Sequence, residues 1–357
     1  MTARLDVASA YGRVAASTRV RVLDWLAHLS LEAEVHQYLG ASTATMSTFG
    51  AHPLRVLRAQ RALYALAKEP LDRLVIQREA SPLGDGAIEA RLLTRAQHGV
   101  LDLDDAMEWD SLRPGLGGHL WPKAEKTARA LPVADCVIAG NPILAEAASR
   151  WARHVVVIPS CVQPSLYRRK RDYELHDPPR VLWIGSASTE RFLAVVAGPM
   201  EELHRTTGAR LVVLGSPKRS RHRLEAMIDR VPWSEQRVLE TTAEFDLGIM
   251  PLDDSLYSRG KCAYKLLQYG AAALPMIGSP VGVNATVLDG FGMPACTSDD
   301  EWVDAFLQLL GESGAARSEA GARAHAATVA RYSFSAWQED WLEAVGLSSR
   351  SALSSER

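Results

Sequence analysis

The stretch DLGIMPLDDSLYSRGKCAYKLLQYGAAALPMIGSP, residues 246–280, holds an apolar run, a polar loop, a segment with helical spacing and a second apolar run. Short apolar runs that alternate with helical segments are typical of parallel βαβ units. The same alternation continues towards the N-terminus, through runs such as RLDVASA, GVLDLDDA, HVVVIP, RVLWIGSAS and ARLVVLGS. The sequence therefore predicts an α/β protein built from doubly wound parallel sheets.

One charged, proline-flanked segment divides the strands and helices into two series. CVQPSLYRRKRDYELHDPPR, residues 161–180, has no apolar periodicity, so we interpret it as a linker. We expect an N-terminal Rossmann-like domain over 1–160 and a C-terminal one over 181–332, facing each other across a cleft walled by strand-end loops. A helix over 333–347 should cross back to the first domain, and 348–357 should be a disordered tail.

Composition excludes several classes of protein. Lysine and arginine number 40 and aspartate and glutamate 42 among 357 residues, so a nucleic acid or an anionic membrane is not expected as the main partner. The four cysteines lack metal-ligand spacing, and no run of about 18 apolar residues predicts a membrane span. The stretch MTARLDVASAYGR is not expected to act as a signal peptide, because it holds no apolar run of sufficient length. We expect a cytoplasmic monomer or homodimer with reduced thiols.

Three cations lie within seven residues where a helix should begin: Arg259, Lys261 and Lys265. A helix N-terminus carries partial positive charge, so cations there cost a few tenths of a kcal/mol each. A bound dianion such as a diphosphate would reverse that sign. The alternatives are solvated surface charges and, for Lys265, a side chain that lies along the helix with its ammonium in water.

The opening stretch, extended to Asn284, resembles the donor-binding region of GT-B glycosyltransferases of family 4, which carry Glu-x7-Glu and then a small-residue run ending in Gly-Leu-Pro. The resemblance extends to AGNPILAEAASRWARHVVVIPSCV, to RVLWIGSAST and to ASTRVRVLDWL. It implies a GT-B fold and the transfer, with retention, of a sugar from a nucleotide diphosphate donor. It also implies that no metal or other cofactor is needed.

The chain departs from the family pattern at its charged positions. Gly260 stands where the first glutamate belongs and Gln268, which could bind a ribose hydroxyl, where the second belongs. Gly185-Ser186-Ala187 replaces the usual Gly-Arg-Leu. We therefore expect the three cations and the backbone N–H groups of 261–263 to hold the diphosphate. The predicted donor site comprises Gly185, Ser186, Thr189, Gly215, Arg259, Gly260, Lys261, Cys262, Ala263, Lys265 and Gln268.

In the first domain, Asp102, Asp104 and Asp105 follow a buried strand. Such carboxylates could bind a metal, as in the GT-A fold, but two α/β series favour GT-B. We expect Asp104 or Asp105 to act in catalysis beside Lys265 by orienting acceptor or donor hydroxyls, or else to cap the next helix. The predicted acceptor side comprises Gly12, Arg13, Ser17, Arg19, Arg78 and Glu79, although Arg78 and Glu79 could simply pair with each other.

The leading hypothesis is thus a glycosyltransferase whose partners are a nucleotide-diphosphate sugar and an acceptor of unknown identity. Two alternatives share the fold: a nucleotide-sugar 2-epimerase, and a non-catalytic nucleotide-sugar-binding protein, which the missing glutamates favour. A dinucleotide oxidoreductase is not expected, because no strand is followed by Gly-x-Gly-x-x-Gly.

Overall fold

The computed structural model describes residues 4–13, 15–39, 46–106, 123–215, 217 and 223–347. The chain divides into two units. The first comprises Met1–Ser160, Gly260–Cys262 and Trp337–Arg357, and the second Cys161–Arg259 and Ala263–Ala336. The expected tail, 348–357, lies outside the described residues.

The first unit is built on a parallel sheet. Its described strands are β1 (Leu5–Ser9), β2 (Glu34–Gln37), β3 (Leu71–Gln77), β4 (Ala96–Leu103), β5 (Cys136–Ala139) and β6 (Val155–Val157), in the order β2-β1-β3-β4-β5-β6. Each coincides with a short apolar run of the sequence, among them AEVHQYL for β2, LDRLVIQRE for β3 and DCVIAG for β5. Val75 of β3 lies opposite Val7 of β1 and Val100 of β4, so the apolar side chains of neighbouring strands share one level of the core.

The helices of the first unit connect these strands. They are α1 (Ala16–Thr18), which continues through a π-helical turn at Arg19–Leu23 into α2 (Asp24–His28), then α3 (Met46–Ala51), α4 (Pro53–Leu66), α5 (Ala87–Arg95), α6 (Lys123–Ala130) and α7 (Pro142–Ala148). In the sequence, Asn141 followed by Pro142 predicts a helix N-cap and first turn, and the structure confirms it for α7: the Asn141 side chain accepts a hydrogen bond from the N–H of Leu144. The carboxyl ends of the strands therefore meet the starts of the following helices at one edge of the sheet.

The second unit is also a parallel sheet, with described strands β7 (Arg180–Ile184), β8 (Arg210–Gly215), β9 (Ile228–Pro232), β10 (Leu247–Met250) and β11 (Met276–Gly278) in the order β11-β10-β7-β8-β9. Its helices are α8 (Ala197–Thr207), α9 (Glu235–Thr241), α10 (Leu256–Arg259), α11 (Tyr264–Ala271), α12 (Asn284–Phe291), α13 (Asp299–Gly311) and α14 (Gly314–Tyr332), and short 3₁₀ turns include Glu190–Val196. Strand β9 was not expected, because the basic segment that contains it has no clear strand pattern.

The small-residue run after Gln268 is explained by close packing. A Cβ added to Gly270 would lie 2.1 Å from the hydroxyl of Thr328 in α14, so a larger residue cannot fit there. On the other side, the Tyr269 ring fills the space above Gly248 of β10, and its hydroxyl donates to the backbone carbonyl of Ile249. Helix α11 is thus held between the sheet and α14.

The last helix, α15 (Phe334–Ala344), belongs to the first unit from Trp337 onward. Its Trp341 stacks on Trp25 of α2, with ring centroids 5.3 Å apart and planes 10° from parallel. At the end of this helix, the ring of His98 in β4 donates a hydrogen bond to the carbonyl of Ala344, 2.8 Å.

Candidate functional site

A buried ion pair lies at the carboxyl edge of the first sheet. Arg21, in the π-helical turn, binds both carboxylate oxygens of Asp102 at the end of β4, with Nη2–Oδ2 at 2.7 Å and Nε–Oδ1 at 3.0 Å. Its Nη1 donates to the carbonyl of Ile158, 2.8 Å. Both side chains are 1% exposed, so both charges lose their hydration. The close two-point contact between the guanidinium and the carboxylate offsets that cost. The pair fixes the end of β4, from which Asp104 and Asp105 follow.

Arg78 bridges those two carboxylates. Its Nε lies 2.6 Å from Asp104 Oδ1 and its Nη2 lies 2.7 Å from Asp105 Oδ2. Arg78 has φ +59°, a left-handed conformation that non-glycine residues rarely adopt and that is often found where strain serves a site. Gln77 donates a further hydrogen bond to Asp104 Oδ1, 3.1 Å. The strand end therefore presents two carboxylates whose charge an arginine partly neutralises.

The residues 260–262 join this cluster within the first unit. Asn141, besides capping α7, donates through Nδ2 to the carbonyl of Gly260 at 2.9 Å. The thiol of Cys262 donates to the Asp104 carbonyl, 3.2 Å, and the Lys261 ammonium lies 3.8 Å from Asp105 Oδ1. Burial, reinforced by the Asp104 carboxylate, raises the pKa of the Cys262 thiol to about 12, so it stays protonated. Lys261 is thus placed beside a carboxylate.

There is no room for a side chain at position 260. A Cβ added to Gly260 would lie 2.4 Å from the Cβ of Ala106, closer than real Cβ atoms approach. Gly260 is therefore a packing glycine, and no residue could stand there in the present backbone without moving Ala106.

The expected acceptor-side residues separate into different environments. Arg13 is exposed and pairs with Asp24, 3.2 Å. Arg19 is buried, with its Nε 3.7 Å from the same Asp24. Gly12 is buried and Ser17 half-buried in the same turn region. None of these four belongs to the Arg78 cluster as described above, so only Arg78 of the set is placed with Asp104 and Asp105.

Glu79 does not pair with Arg78, so that alternative was wrong. The Lys126 ammonium lies 2.7 Å from Glu79 Oε2, and the Tyr11 hydroxyl donates to Glu79 Oε1, 3.0 Å. The Lys126–Glu79 pair is almost fully buried. The left-handed backbone at Arg78 turns these two consecutive side chains towards different partners.

In the second unit, β7 ends in a turn of exposed hydroxyls. The N–H of Ser186 donates to Thr189 Oγ1, 3.2 Å, and the hydroxyls of Ser186 and Ser188 lie 2.9 Å apart. The loop of small residues could have been explained by Ser188 or Thr189 capping the segment that follows, but neither side chain caps the 3₁₀ turn. Gly185 and Gly215 meet at this edge, because a Cβ on Gly215 would lie 2.2 Å from the Gly185 carbonyl oxygen.

Lys265 points to the same edge of β7. Its ammonium lies 5.4 Å from the ring centroid of Trp183, a cation–π contact. A Cβ on Gly185 would touch that same indole at 2.3 Å, so one ring contacts both the lysine and the turn 185–189. Arg191 lies in the 3₁₀ turn Glu190–Val196, and its guanidinium is 5.6 Å from the ring centroid of Tyr257 in α10. Two cations are therefore held on aromatic rings on the elements that flank the end of β7.

The placement of Arg259 at the start of α11 was wrong. Arg259 ends α10, and its guanidinium binds the exposed Asp254 through Nε–Oδ1, 2.7 Å. Helix α11 begins at Tyr264, after Ala263 in a left-handed conformation with φ +53°. A cation at a helix C-terminus is favourable, so Arg259 carries no local charge conflict.

Gln268 is buried in the second turn of α11. Its Nε2 donates to the hydroxyl of Tyr167, 3.4 Å. The amide thus has a partner from within its own unit.

One group of side chains has metal-ligand proximity among the described residues: Asp6, Glu34 and His36, whose ligand atoms lie within 4.8 Å of one another. Asp6 and Glu34 lie near the starts of β1 and β2, at the opposite edge of the sheet from Arg78. Arg4 already donates to both carboxylates. The Asp102, Asp104 and Asp105 carboxylates instead have arginine partners. Beside Asp105, a cavity of about 20 Å³ between Ala106 and Leu144 has room for one water.

Two functional side chains were missed in the sequence. Arg21 is the more informative, because its signal was a cation between apolar neighbours in RVRVL, a helical position that should have been buried. Asn141 was identified as a cap only. Its second role, a donor to the carbonyls of Gly260 and Lys261, joins parts of the chain more than 100 residues apart and has no sequence signature.

No protein-family model and no curated protein sequence matches the chain. Solved structures do. Anabaena HepE, in complex with UDP and glucose, superposes with a TM-score of 0.68 at 11% identity over 97% of this chain and 100% of its own. The UDP-forming trehalose-phosphate synthase of Burkholderia xenovorans gives 0.64 at 15%, over 96% and 99%.

S. aureus TarM gives a TM-score of 0.58 at 11% identity, over 79% of this chain, and the chain spans 57% of the length of TarM. At these identities the similarity is one of fold. With its two parallel-sheet units, the chain has the fold of the GT-B glycosyltransferases.

Proposed function

We propose that the chain is a glycosyltransferase that transfers a sugar from a nucleotide-diphosphate donor. The observation that carries the proposal is Lys265, held over Trp183 beside the turn 185–189 of the second unit. In open parallel sheets, ligands bind beyond the carboxyl ends of the strands, where backbone N–H groups and cations can neutralise phosphate. HepE was solved with UDP and glucose, and the trehalose-phosphate synthase forms UDP.

The donor's diphosphate would be bound by Lys265, the hydroxyls of Ser186 and Thr189 and the N-terminus of α11. Breaking the bond to the sugar builds negative charge on the diphosphate, and a preorganised ammonium stabilises that charge in the transition state. Arg259 and Lys261, proposed with Lys265 from the sequence, take part only if ligand binding releases them from Asp254 and Asp105.

The rest of the donor set serves the backbone more than the ligand. Gly185 and Gly215 permit the close approach of the β7 and β8 ends, while Gly260, Cys262 and Ala263 set the chain path before α11. We assign Gln268 to the ribose, provided that its bond to Tyr167 yields to the ligand.

The acceptor would be oriented by Asp104 and Asp105 in the first unit. Both carboxylates keep lone pairs that can accept from sugar or acceptor hydroxyls, while Arg78 holds their positions. On the sequence alone, we also assign to this side Gly12, Arg13, Ser17, Arg19 and Glu79.

With arginines as the partners of these carboxylates, we propose transfer without a metal ion. We also propose retention of the sugar's configuration, on the family resemblance, with the departing phosphate taking the acceptor's proton.

A second candidate is a protein that binds a nucleotide sugar without catalysis. The closed position at Gly260 favours it, because the missing glutamate cannot be replaced in place. The two candidates differ in turnover: both bind the donor, and only a transferase releases nucleoside diphosphate in an acceptor-dependent way.

The test of the diphosphate assignment is calorimetric titration of Lys265→Met. A charge-assisted hydrogen bond to phosphate contributes about 1.5–3 kcal/mol, so affinity for the nucleoside diphosphate should fall roughly 10- to 100-fold while affinity for the nucleoside is unchanged. Lys265→Arg is the matched control and should recover most of the binding. Equal losses for nucleoside and diphosphate would exclude the assignment.

A further inference from the structure

Helix α4 turns an apolar row towards solvent. Leu54 is 68% exposed, Leu57 46% and Tyr64 47%, while Leu63 on the other face is buried in the core of the first unit. Leu54, Leu57 and Tyr64 are three and seven residues apart, so they lie on one side of the helix, and Arg61 lies between Leu57 and Tyr64 on that side. Large apolar side chains grouped on an exposed face, as opposed to scattered singly, mark an interaction surface.

Cations flank and interrupt that row. Arg55, Arg58, Arg61 and Lys68 are exposed, and residues 46–68 contain no aspartate or glutamate. Across the part of the chain that the structure describes, no carboxylate forms an ion pair with any of the four. The outer face of α4 is therefore both apolar and positively charged. The formal charge of -2 for the whole chain, on which no anionic membrane was expected as the main partner, does not reveal this local patch.

We infer that the outer face of α4, formed by Leu54, Leu57, Tyr64 and the four cations, docks on an anionic lipid bilayer. An amphipathic helix with leucine and aromatic side chains beside arginines lies in the interface of such a membrane, its apolar groups below the headgroups and its cations among the phosphates. A nucleic acid would engage the arginines and leave the exposed leucines in water. The lipid surface is the partner that satisfies both parts of the face.

Helix α4 contacts a loop at the carboxyl edge of the first sheet. Gln60 of α4 accepts hydrogen bonds from the hydroxyls of Ser81, 2.9 Å, and Tyr38, 3.0 Å. Ser81 follows Arg78 by three residues, so α4 is tied to the loop that leaves the Arg78 cluster. A bilayer on this face would give the cluster access to acceptors embedded in a membrane.

The inference does not depend on the transferase assignment. Membrane docking and sugar transfer are measured separately, and either can fail alone. Within the described residues no helix is long and apolar enough to cross a membrane, so the association expected is peripheral.

The test is co-sedimentation of the full chain with phosphatidylcholine vesicles, with and without phosphatidylglycerol. The wild type should bind the anionic vesicles in a salt-sensitive manner and the neutral ones at least about tenfold more weakly, since each cation near an anionic surface contributes roughly fivefold. Leu54→Ser/Leu57→Ser/Tyr64→Ser should weaken binding at least about tenfold at unchanged charge. Arg55→Gln/Arg58→Gln/Arg61→Gln should remove the preference for anionic lipid.

Matched controls come from the second unit. Leu166 is 61% exposed, and Leu166→Ser removes an exposed leucine elsewhere; Arg169→Gln/Arg171→Gln removes exposed arginines. Both should bind like the wild type. Since the α4 substitutions lie on the solvent side, the melting temperature of each variant should be unchanged, and the single Leu54→Ser replaces any variant that melts early.

Absence of binding to anionic vesicles, or equal binding by the wild type and the α4 variants, would overturn the inference. Binding of polyuridylate that requires the same arginines, together with no binding to vesicles, would overturn the inference in favour of a nucleic-acid surface.

Discussion

Replacing Arg21 by methionine should destabilise the first unit strongly. The substitution keeps an unbranched apolar stem, removes the guanidinium and leaves the Asp102 carboxylate buried without its partner. It removes two short charge-assisted hydrogen bonds, at 2.7 and 3.0 Å, and one to the carbonyl of Ile158. At about 1.5–3 kcal/mol for each bond to the carboxylate, the loss is about 3–6 kcal/mol. Measured removal of one member of a buried pair costs about 3–5 kcal/mol, in the same range.

Urea unfolding followed by tryptophan fluorescence measures this cost, because Trp25 is buried beside the π-helical turn that carries Arg21. The double variant Arg21→Met/Asp102→Leu removes both charges and should be more stable than Arg21→Met, with a coupling of about 2 kcal/mol or more. Arg205→Met is the control, because Arg205 pairs with Glu202 at the surface and should change nothing measurable. A loss below about 1 kcal/mol in Arg21→Met would refute the reasoning, since it would mean that water reaches Asp102.

Three further outcomes are expected. Gly260→Ala should cost about 1–3 kcal/mol, because its Cβ would meet that of Ala106, whereas Gly311→Ala, with open space around the glycine, should be tolerated; equal thermal stability of the two would contradict the closed position. The Cys262 thiol is only partly buried, yet it should resist alkylation at pH 8, because a thiol with a pKa raised to about 12 is ionised there in roughly one molecule in ten thousand. Alkylation at the rate of a free thiol, measured by mass spectrometry, would contradict that raised pKa. Burial raises the pKa of Glu89 above 4.5 even though Lys126 opposes the shift. The folded state therefore holds that proton more tightly than the unfolded state, and the stability of the wild type relative to Glu89→Gln should be highest below pH 4.5 and fall as the pH rises; a flat or opposite difference would reverse the sign.

The βαβ alternation was readable because buried parallel strands require short apolar runs, and each predicted run became a strand. Strand β9 was not predicted because it lacks such an apolar run. Its residues, IDRVP, lie at the edge of the second sheet, where only Ile228 is buried and charged side chains are tolerated. Edge strands need less apolar surface, so their sequences carry a weaker signal.

The charge conflict at the start of α11 was only partly real. The sequence pattern predicted that Arg259 and Lys261 lie at one helix N-terminus. In the structure, the left-handed Ala263 separates helix α11 from both residues. No local sequence pattern predicts a left-handed conformation for an alanine, which non-glycine residues rarely adopt. Lys265 alone lies in the first turn of α11, and the diphosphate prediction now depends mainly on it.

Non-local pairings set the limit of the sequence prediction in the first unit. Arg78 and Glu79 were visible as charged residues beyond a strand, and pairing with each other was the simplest local hypothesis. The structure assigns them to Asp104 with Asp105 and to Lys126, because the backbone turns over between them. Which carboxylate an arginine meets depends on strand order, and the sequence does not state that order.

The measurement that tests the central claim most directly is nucleoside diphosphate release from a panel of nucleotide sugars, after a thermal-shift screen of nucleoside diphosphates. A ligand at a hundred times its dissociation constant stabilises the chain by about 2.7 kcal/mol, so a true donor base should be easy to recognise. The account predicts that one nucleotide sugar stabilises the wild type and releases diphosphate in the presence of an acceptor, and that Lys265→Met loses both effects. No stabilisation by any diphosphate, or release unchanged in Lys265→Met, would contradict it.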